Sequence, residues 1–280
     1  MKRTAFILLT LFFFISGCRG FRNEKGVATG EMQNKNVRVI VYFPDKEFLK
    51  LVPEERTVPF KNTVEETVVN TLISGSIKGS MQSIPKGTRI ISLSRNDGNI
   101  TLNLSKEFLK NLNSGSIYSI VDSLTEIPGV KGVILKSEGK PINMKMDGIN
   151  LKNPIKRNRK LLTRNPNLNP GEVLKKQMGL EAEGEWFEAY LLMSDDENNP
   201  DRKYYNEYAA EMDEIRALGF LNTDFEVGDY TVDRTGSKAL VKVNFYTRDS
   251  SGKRVLANNV RFNTVKIDGV WLVDWLTSQS

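Results

Sequence analysis

Histidine is absent from the 280 residues, and cysteine occurs once, at Cys18. Without an imidazole, neither a Ser-His-Asp nor a Cys-His catalytic arrangement can be assembled, and zinc loses its two commonest ligand types. A single thiol also excludes a disulfide within the chain. Long apolar runs are scarce too. The one stretch apolar enough to enter a bilayer, Ala5 to Gly17, is about a dozen residues, short of the roughly 20 that a spanning helix needs. Proline is sparse, with 10 residues against 21 glycines, and 39% hydrophobic with 26% charged residues is the balance of an ordinary folded chain. A chain of 280 residues is expected to form two modest globular units and a connecting segment.

The apolar stretch follows Lys2 and Arg3 and ends in small residues, the pattern of a secretory leader over residues 1–17. The order Ile15-Ser16-Gly17-Cys18 resembles the bacterial lipobox, in which the cysteine becomes the first mature residue and its thiol takes up a diacylglyceryl group. Cys18 is therefore the expected lipid attachment site. Burying acyl chains such as palmitate yields about 0.8 kcal/mol per CH₂, so two or three chains would hold the protein on the extracytoplasmic face of the cell membrane. Residues 18–35 carry no apolar periodicity and read as a flexible tether. Lys2 and Arg3 supply two units of the formal charge of +6; the remaining mild excess suits anionic lipid or wall polymer, and nucleic acid is not expected as a partner.

Residues 36–150 are expected to form the first unit. In "VRVIVYF", Val37, Val39, Val41 and Phe43 alternate with Arg38, Ile40 and Tyr42, a strand with one well-buried side. Thr63-Val64-Glu65-Glu66 has the form of a capping box, and Val64, Val68 and Leu72 follow on one helical face up to Gly75. Asp97-Gly98 between two β-rich runs predicts a hairpin. Ser105 can cap a short helix through Phe108 and Leu109. Ile117, Ile120, Val121 and Leu124 form a second helical stripe ending before Pro128-Gly129, and "VKGVILK" supplies a last strand. Alternating strands and helices imply a two-layer α/β unit.

The segments "VIVYFPD", "LVPEERTVP", "TLISGS", "SIPKGTRIISLSRNDGNITLNLSKEF" and "IVDSLTEIPGVKGVIL", in that order, resemble the GerMN domain of sporulation and spore germination lipoproteins. The resemblance spans Val37 to about Lys160 and shows one such module rather than two. It implies a small α/β fold of the ring-building type, used for contacts with envelope or sporulation proteins or for a homo-oligomeric ring outside the membrane. It carries over no catalytic residue and no cofactor.

Residues 151–180 hold Asn-Pro pairs at 153–154, 165–166 and 169–170, together with Lys152, Lys156, Arg157, Arg159, Lys160 and Arg164. Each residue before proline is biased toward extended backbone, so this reads as a basic linker. Its charges form either a solvated connector or a patch for anionic lipid or polymer. In the second unit, 181–280, Trp186, Phe187, Tyr190 and Leu191 suit one helix, and Tyr208, Met212, Ile215 and Leu218 another that Gly219 can close. Four β-rich runs follow, with turns at Ser251-Gly252 and Asp268-Gly269, and Ala239, Val241, Val243 and Phe245 share a face. Helices first and an antiparallel meander after, ending in "VKIDGVWLVDW", resemble the α+β cone with a curved sheet of NTF2-like domains.

Few groups could carry chemistry. Ser83-Ile84-Pro85-Lys86 fits the Ser-x-x-Lys pattern, but the spacing recurs at Ser137–Lys140 and Ser250–Lys253, and no Ser-Asp-Asn or Lys-Thr-Gly accompanies it. "SDDENNPD", 194–201, offers carboxylates for Ca²⁺ yet lacks the glycine and bidentate Glu of an EF-hand loop, so a solvated loop between helices is expected. Trp186, Trp271 and Trp275 either line a ligand pocket or belong to a core. No catalytic, cofactor-binding or metal residue is assigned. The expected role is a lipid-anchored scaffold; the alternative is an envelope lipoprotein that binds or hydrolyses a small ligand in its C-terminal domain.

Overall fold

The computed structural model describes residues 35–142, 145–146 and 148–278. Cys18, the expected leader and nearly all of the expected tether lie outside them.

The fold begins with a two-stranded antiparallel hairpin, β1 (Asn36–Pro44) and β2 (Leu51–Pro59), in register from Asn36 opposite Pro59 to Pro44 opposite Leu51. Val39, Val41 and Phe43 enter one core, as the alternation predicts. The other face is not solvated. Ile40 and Tyr42 are equally buried, in a second core with Trp186, Phe187 and Tyr205. β1 is thus a wall between two cores, and the expectation of a single buried side is corrected.

Helix α1 (Val64–Ser74) starts at Thr63, whose side chain accepts from the backbone N–H of Glu66. The reciprocal half of the expected capping box is replaced: the Glu66 carboxylate accepts from the Asn62 amide at 2.7 Å. Beyond α1 the chain is stitched to β2 by buried Glu54, which accepts from the Ser76 hydroxyl and from the Ile77 N–H.

A four-stranded sheet follows in the order β3 (Ile90–Asn96), β4 (Asn99–Leu104), β5 (Gly132–Ser137), β6 (Lys140–Pro141). Asp97 and Gly98 connect β3 to β4 with φ of 48° and 78°, the left-handed pair that a tight hairpin of right-twisted strands demands. β4 and β5 are parallel, so they need a crossover, supplied by α2 (Ser114–Leu124). Ile117, Ile120, Val121 and Leu124 of α2 pack into the first core. Lys106–Asn111 forms the expected short helix, of 3-10 type; Ser105 does not cap it, its hydroxyl accepting instead from the Arg89 N–H.

A small hairpin, β7 (Lys145–Met146) with β8 (Ile149–Asn150), precedes the segment read from sequence as a linker. That segment is folded. Leu151, Ile155 and Leu162 are buried, and Ile155 exchanges backbone hydrogen bonds with Val133. Asn169-Pro170 starts helix α3 (Pro170–Glu183): the Asn169 side chain and Glu172 close a full capping box. Proline at the first helical position has no N–H to leave unsatisfied, so the pair that reads as a linker signal is here a helix start.

Short helix α4 (Trp186–Tyr190) and α5 (Tyr205–Ala217) complete the second core, and Gly219 at φ 71° follows α5 as expected. The C-terminal sheet is a meander, β9 (Phe225–Val232), β10 (Lys238–Arg248), β11 (Arg254–Ile267) and β12 (Val270–Ser278), paired in sequence order. Ala239, Val241 and Val243 meet Val173, Leu174 and Met178 of α3 in a third core. Register shifts at Val241–Val243, Phe245–Tyr246 and Phe262–Thr264 mark bulges, which bend strands and increase twist.

Candidate functional site: a buried charge network at the junction

Where the two-faced hairpin meets the later helices, polar side chains from distant parts of the chain converge. Tyr42 comes from β1, Asp122 from the last turn of α2 and Glu126 from just beyond it. Arg157, Arg159 and Arg164 come from the folded segment before α3. Tyr190 lies on α4, and Asp195, Glu197 and Arg202 lie on the loop between α4 and α5.

Glu126 is one centre. Its carboxylate accepts from the Tyr42 hydroxyl at 2.6 Å, from Arg202 Nη2 at 2.9 Å, from the Tyr190 hydroxyl at 3.3 Å and from Arg157 Nη2. Asp195 is the other. Arg159 Nε lies 3.0 Å and Arg164 Nη2 2.9 Å from its oxygens, and Arg157 Nε approaches to 3.0 Å, off the hydrogen-bond direction. Arg159 also reaches Glu197 at 2.5 Å. Arg157 bridges the two centres and places its guanidinium over the Tyr42 ring, 5.3 Å from the centroid. Arg202 donates further to the backbone carbonyls of Thr125 and Glu126.

Ionisation follows from this packing. Burial alone would raise the Asp195 carboxyl, but Arg164, Arg157 and Arg159 outweigh it and hold the group well below the ordinary carboxylate range. Burial likewise opposes ionisation of Glu126, and Arg157 and Arg202 reverse that effect. Asp122 goes the other way. Burial dominates, pushing its carboxyl up to about 6, although Arg157 and the Asn158 N–H favour the charged form. Burial also raises the phenols of Tyr42 and Tyr190, which stay neutral donors.

Four arginines here face four carboxylates, so the network balances its charge. Buried ion pairs add little net stability over apolar packing, but removing one partner leaves an uncompensated charge and costs several kcal/mol. The arrangement therefore acts chiefly as a geometric lock. A cavity of about 30 Å³ beside it, bordered by Tyr42, Leu162, Tyr190 and Arg202, has room for water and not for a metabolite.

Several sequence-level expectations are corrected. The basic run is neither a solvated connector nor a free patch as a whole: Arg157, Arg159 and Arg164 are largely buried in ion pairs, while Lys152, Lys156 and Lys160 are exposed. "SDDENNPD" is not a solvated loop throughout, because Ser194 and Asp195 are buried and Asp195 is committed to arginines. Among the described residues no group of three or more Asp, Glu, His or Cys side chains is placed to hold a metal. Ser83 and Ser137 are buried while Lys86 and Lys140 are exposed, and Ser250 and Lys253 are both exposed. The tryptophans do not converge: Trp186 and Trp275 join the second core, where Trp186 Nε1 donates to Asp213 and Trp275 Nε1 to the Ser194 carbonyl, and Trp271 belongs to the third.

Sequence reasoning missed Tyr42, Asp122, Glu126 and Arg202. One signal for Asp122 was available, since it interrupts the apolar stripe of α2 beside Val121 and is buried like its neighbours.

A family model described as Germane, sporulation and spore germination, matches residues 40–143. The match identifies a GerMN domain over this stretch, which is less than half of the chain. No curated protein matches the chain. Among solved structures, the tandem GerMN domains of the sporulation protein GerM from Bacillus subtilis align at 23% identity and TM-score 0.40, covering 50% of this chain and 51% of that one. The chain thus spans about half of that structure. The first GerMN domain of the same protein aligns at 19% identity and TM-score 0.37, covering 44% of this chain and 98% of that one. A proposed lipoprotein from Clostridium perfringens aligns at 22% identity and TM-score 0.31, with 45% and 90% covered. The GerMN domain contributes Tyr42, Asp122 and Glu126 to the network, and the remainder of the chain contributes the arginines, Tyr190, Asp195 and Glu197.

Proposed function

We propose that this GerMN-domain protein is a lipid-anchored scaffold on the extracytoplasmic face of the cell membrane, assembling with other envelope proteins or with copies of itself during sporulation or germination. The observation that carries the reading is the GerMN match over residues 40–143, a domain described by sporulation and spore germination. Two further features support it. The leader-like segment, residues 1–17, is followed directly by Cys18, the only thiol in the sequence available for acylation. The charge network fixes the GerMN domain against the C-terminal module, so both would be presented to a partner as one body. In this reading the C-terminal module is an NTF2-like element, supported by the order of helices followed by a meander.

Fractionation of cells that produce the full chain and its Cys18→Ala variant tests the anchor. The full chain is expected in membranes, labelled by fed palmitate, and the variant unlabelled and outside them. Chemical cross-linking in intact sporulating cells tests the scaffold role: discrete products containing the chain and an envelope protein, or multiples of the chain, are expected. A soluble, unlabelled full chain refutes the anchor, and an exclusively monomeric product pattern refutes the scaffold.

A further inference from the structure

A second cavity, of about 70 Å³, opens on another side of the network. Lys131, Lys156, Arg157, Arg159 and Arg202 all contribute to its wall. The two carboxylates there are already committed: Asp195 is shared by Arg157, Arg159 and Arg164, and Glu197 pairs with Arg159. Positive charge is therefore in excess at this wall. Lys131 and Lys156 are exposed, and neither forms an ion pair with another described residue.

Arg202 adds a buried donor. The residue is 5% exposed, its two terminal nitrogens are spent on Thr125 and Glu126, and its Nε has no hydrogen-bond partner. A buried donor without an acceptor is unfavourable, and a ligand oxygen would relieve it. Guanidinium forks together with mobile ammonium groups suit a small oxyanion with several acceptor oxygens. The cavity's size admits one phosphate-sized group and excludes a nucleotide.

We propose that this cavity binds a phosphate group, with Arg202 Nε as the buried donor and Lys131 and Lys156 as the charges at its mouth. The site is shared: Thr125 and Lys131 belong to the GerMN domain and Arg159 and Arg202 do not. An occupied site would tighten the junction. Free phosphate and the phosphate of a wall polymer present the same oxygens to these groups, so the chemistry of recognition is the same.

The test titrates the full chain, in detergent and at constant ionic strength, with inorganic phosphate, with chloride and with a glycerol phosphate oligomer. Calorimetry and thermal unfolding are read together. Saturable one-to-one binding of phosphate and a raised midpoint are expected, both absent with chloride. In the Lys131→Gln/Lys156→Gln variant, which alters only exposed side chains, the dissociation constant should rise about tenfold, as removal of two charge contacts implies. Binding of the oligomer without inorganic phosphate, lost in the same variant, would assign the polymer as the source. Overturning results are no binding of either probe, or binding that the lysine variant leaves unchanged.

Discussion

Strands β1 and β10 carry similar residues and are buried in different ways. In β1 the run Val39 to Phe43 is buried residue after residue, because the GerMN core lies on one side and the α4–α5 core on the other. In β10 buried Val241 and Val243 flank exposed Lys242, because α3 packs on one face of that strand. A continuous apolar run marks a strand enclosed on both faces, and alternation marks one with a solvated face. The comparison teaches that the junction is a core in its own right, with the charge network sealing its edge.

Four measurements would break or sharpen this contrast. Glu126→Ala should have the largest effect, because Arg157 and Arg202 lose their shared counter-charge in a buried site. A loss of about 3–5 kcal/mol is expected in denaturant unfolding, and a loss below about 1 kcal/mol would show that the junction can open without cost to the fold. Ile40→Ala, on the face of β1 turned away from the GerMN core, should cost about 2–5 kcal/mol. The matching change Leu256→Ala, on a β11 residue that is 58% exposed, should stay within about 0.5 kcal/mol. Equal costs would erase the distinction between the two sheets.

The third measurement concerns pH. Asp122, raised to about 6 by burial, holds its proton more firmly in the folded state than in the unfolded one. Its stabilising contribution is therefore complete below the ordinary carboxylate range and is lost as pH rises through about 6, a change of about 2–3 kcal/mol. Glu126 and Asp195 are lowered, so theirs is present above that range and is lost as pH falls through their folded values. Between about pH 4.5 and about pH 7, Asp122 contributes a falling slope, together with Glu181, whose carboxyl burial also raises. Asp122→Asn should flatten it, as read from unfolding midpoints across that window; an unchanged slope would assign it to another group. The smallest effect is expected for Asn169→Ala, about 1 kcal/mol from loss of the α3 cap. Hydrogen exchange of the first-turn amides of α3 would register it, with the GerMN core unaffected.

The elements of the GerMN domain were largely legible because their signals are local. Asp97-Gly98 fixes its turn through backbone conformation, and the stripe from Ile117 to Leu124 states its helix in four residues. The C-terminal meander was legible for the same reason, from its turns and from the alternation in β10. The junction was not. Arg157 and Asp195 look like members of two solvated charged segments until the fold brings them within 3.0 Å, and nothing in either segment names the other. Asn169-Pro170 misled for a different reason: the same dipeptide ends one helix and begins another, and only the apolar residues Val173 and Leu174 beyond it decide which.

Chain order places β1 first among the described strands, and it supplies buried residues to both the first and the second core. Tension transmitted through residues 1–35 would arrive at Asn36, where the ladder to β2 begins with its partner Pro59. A tug from that end cannot loosen the first core while sparing the second, because one strand is built into both and the two would bear the load together.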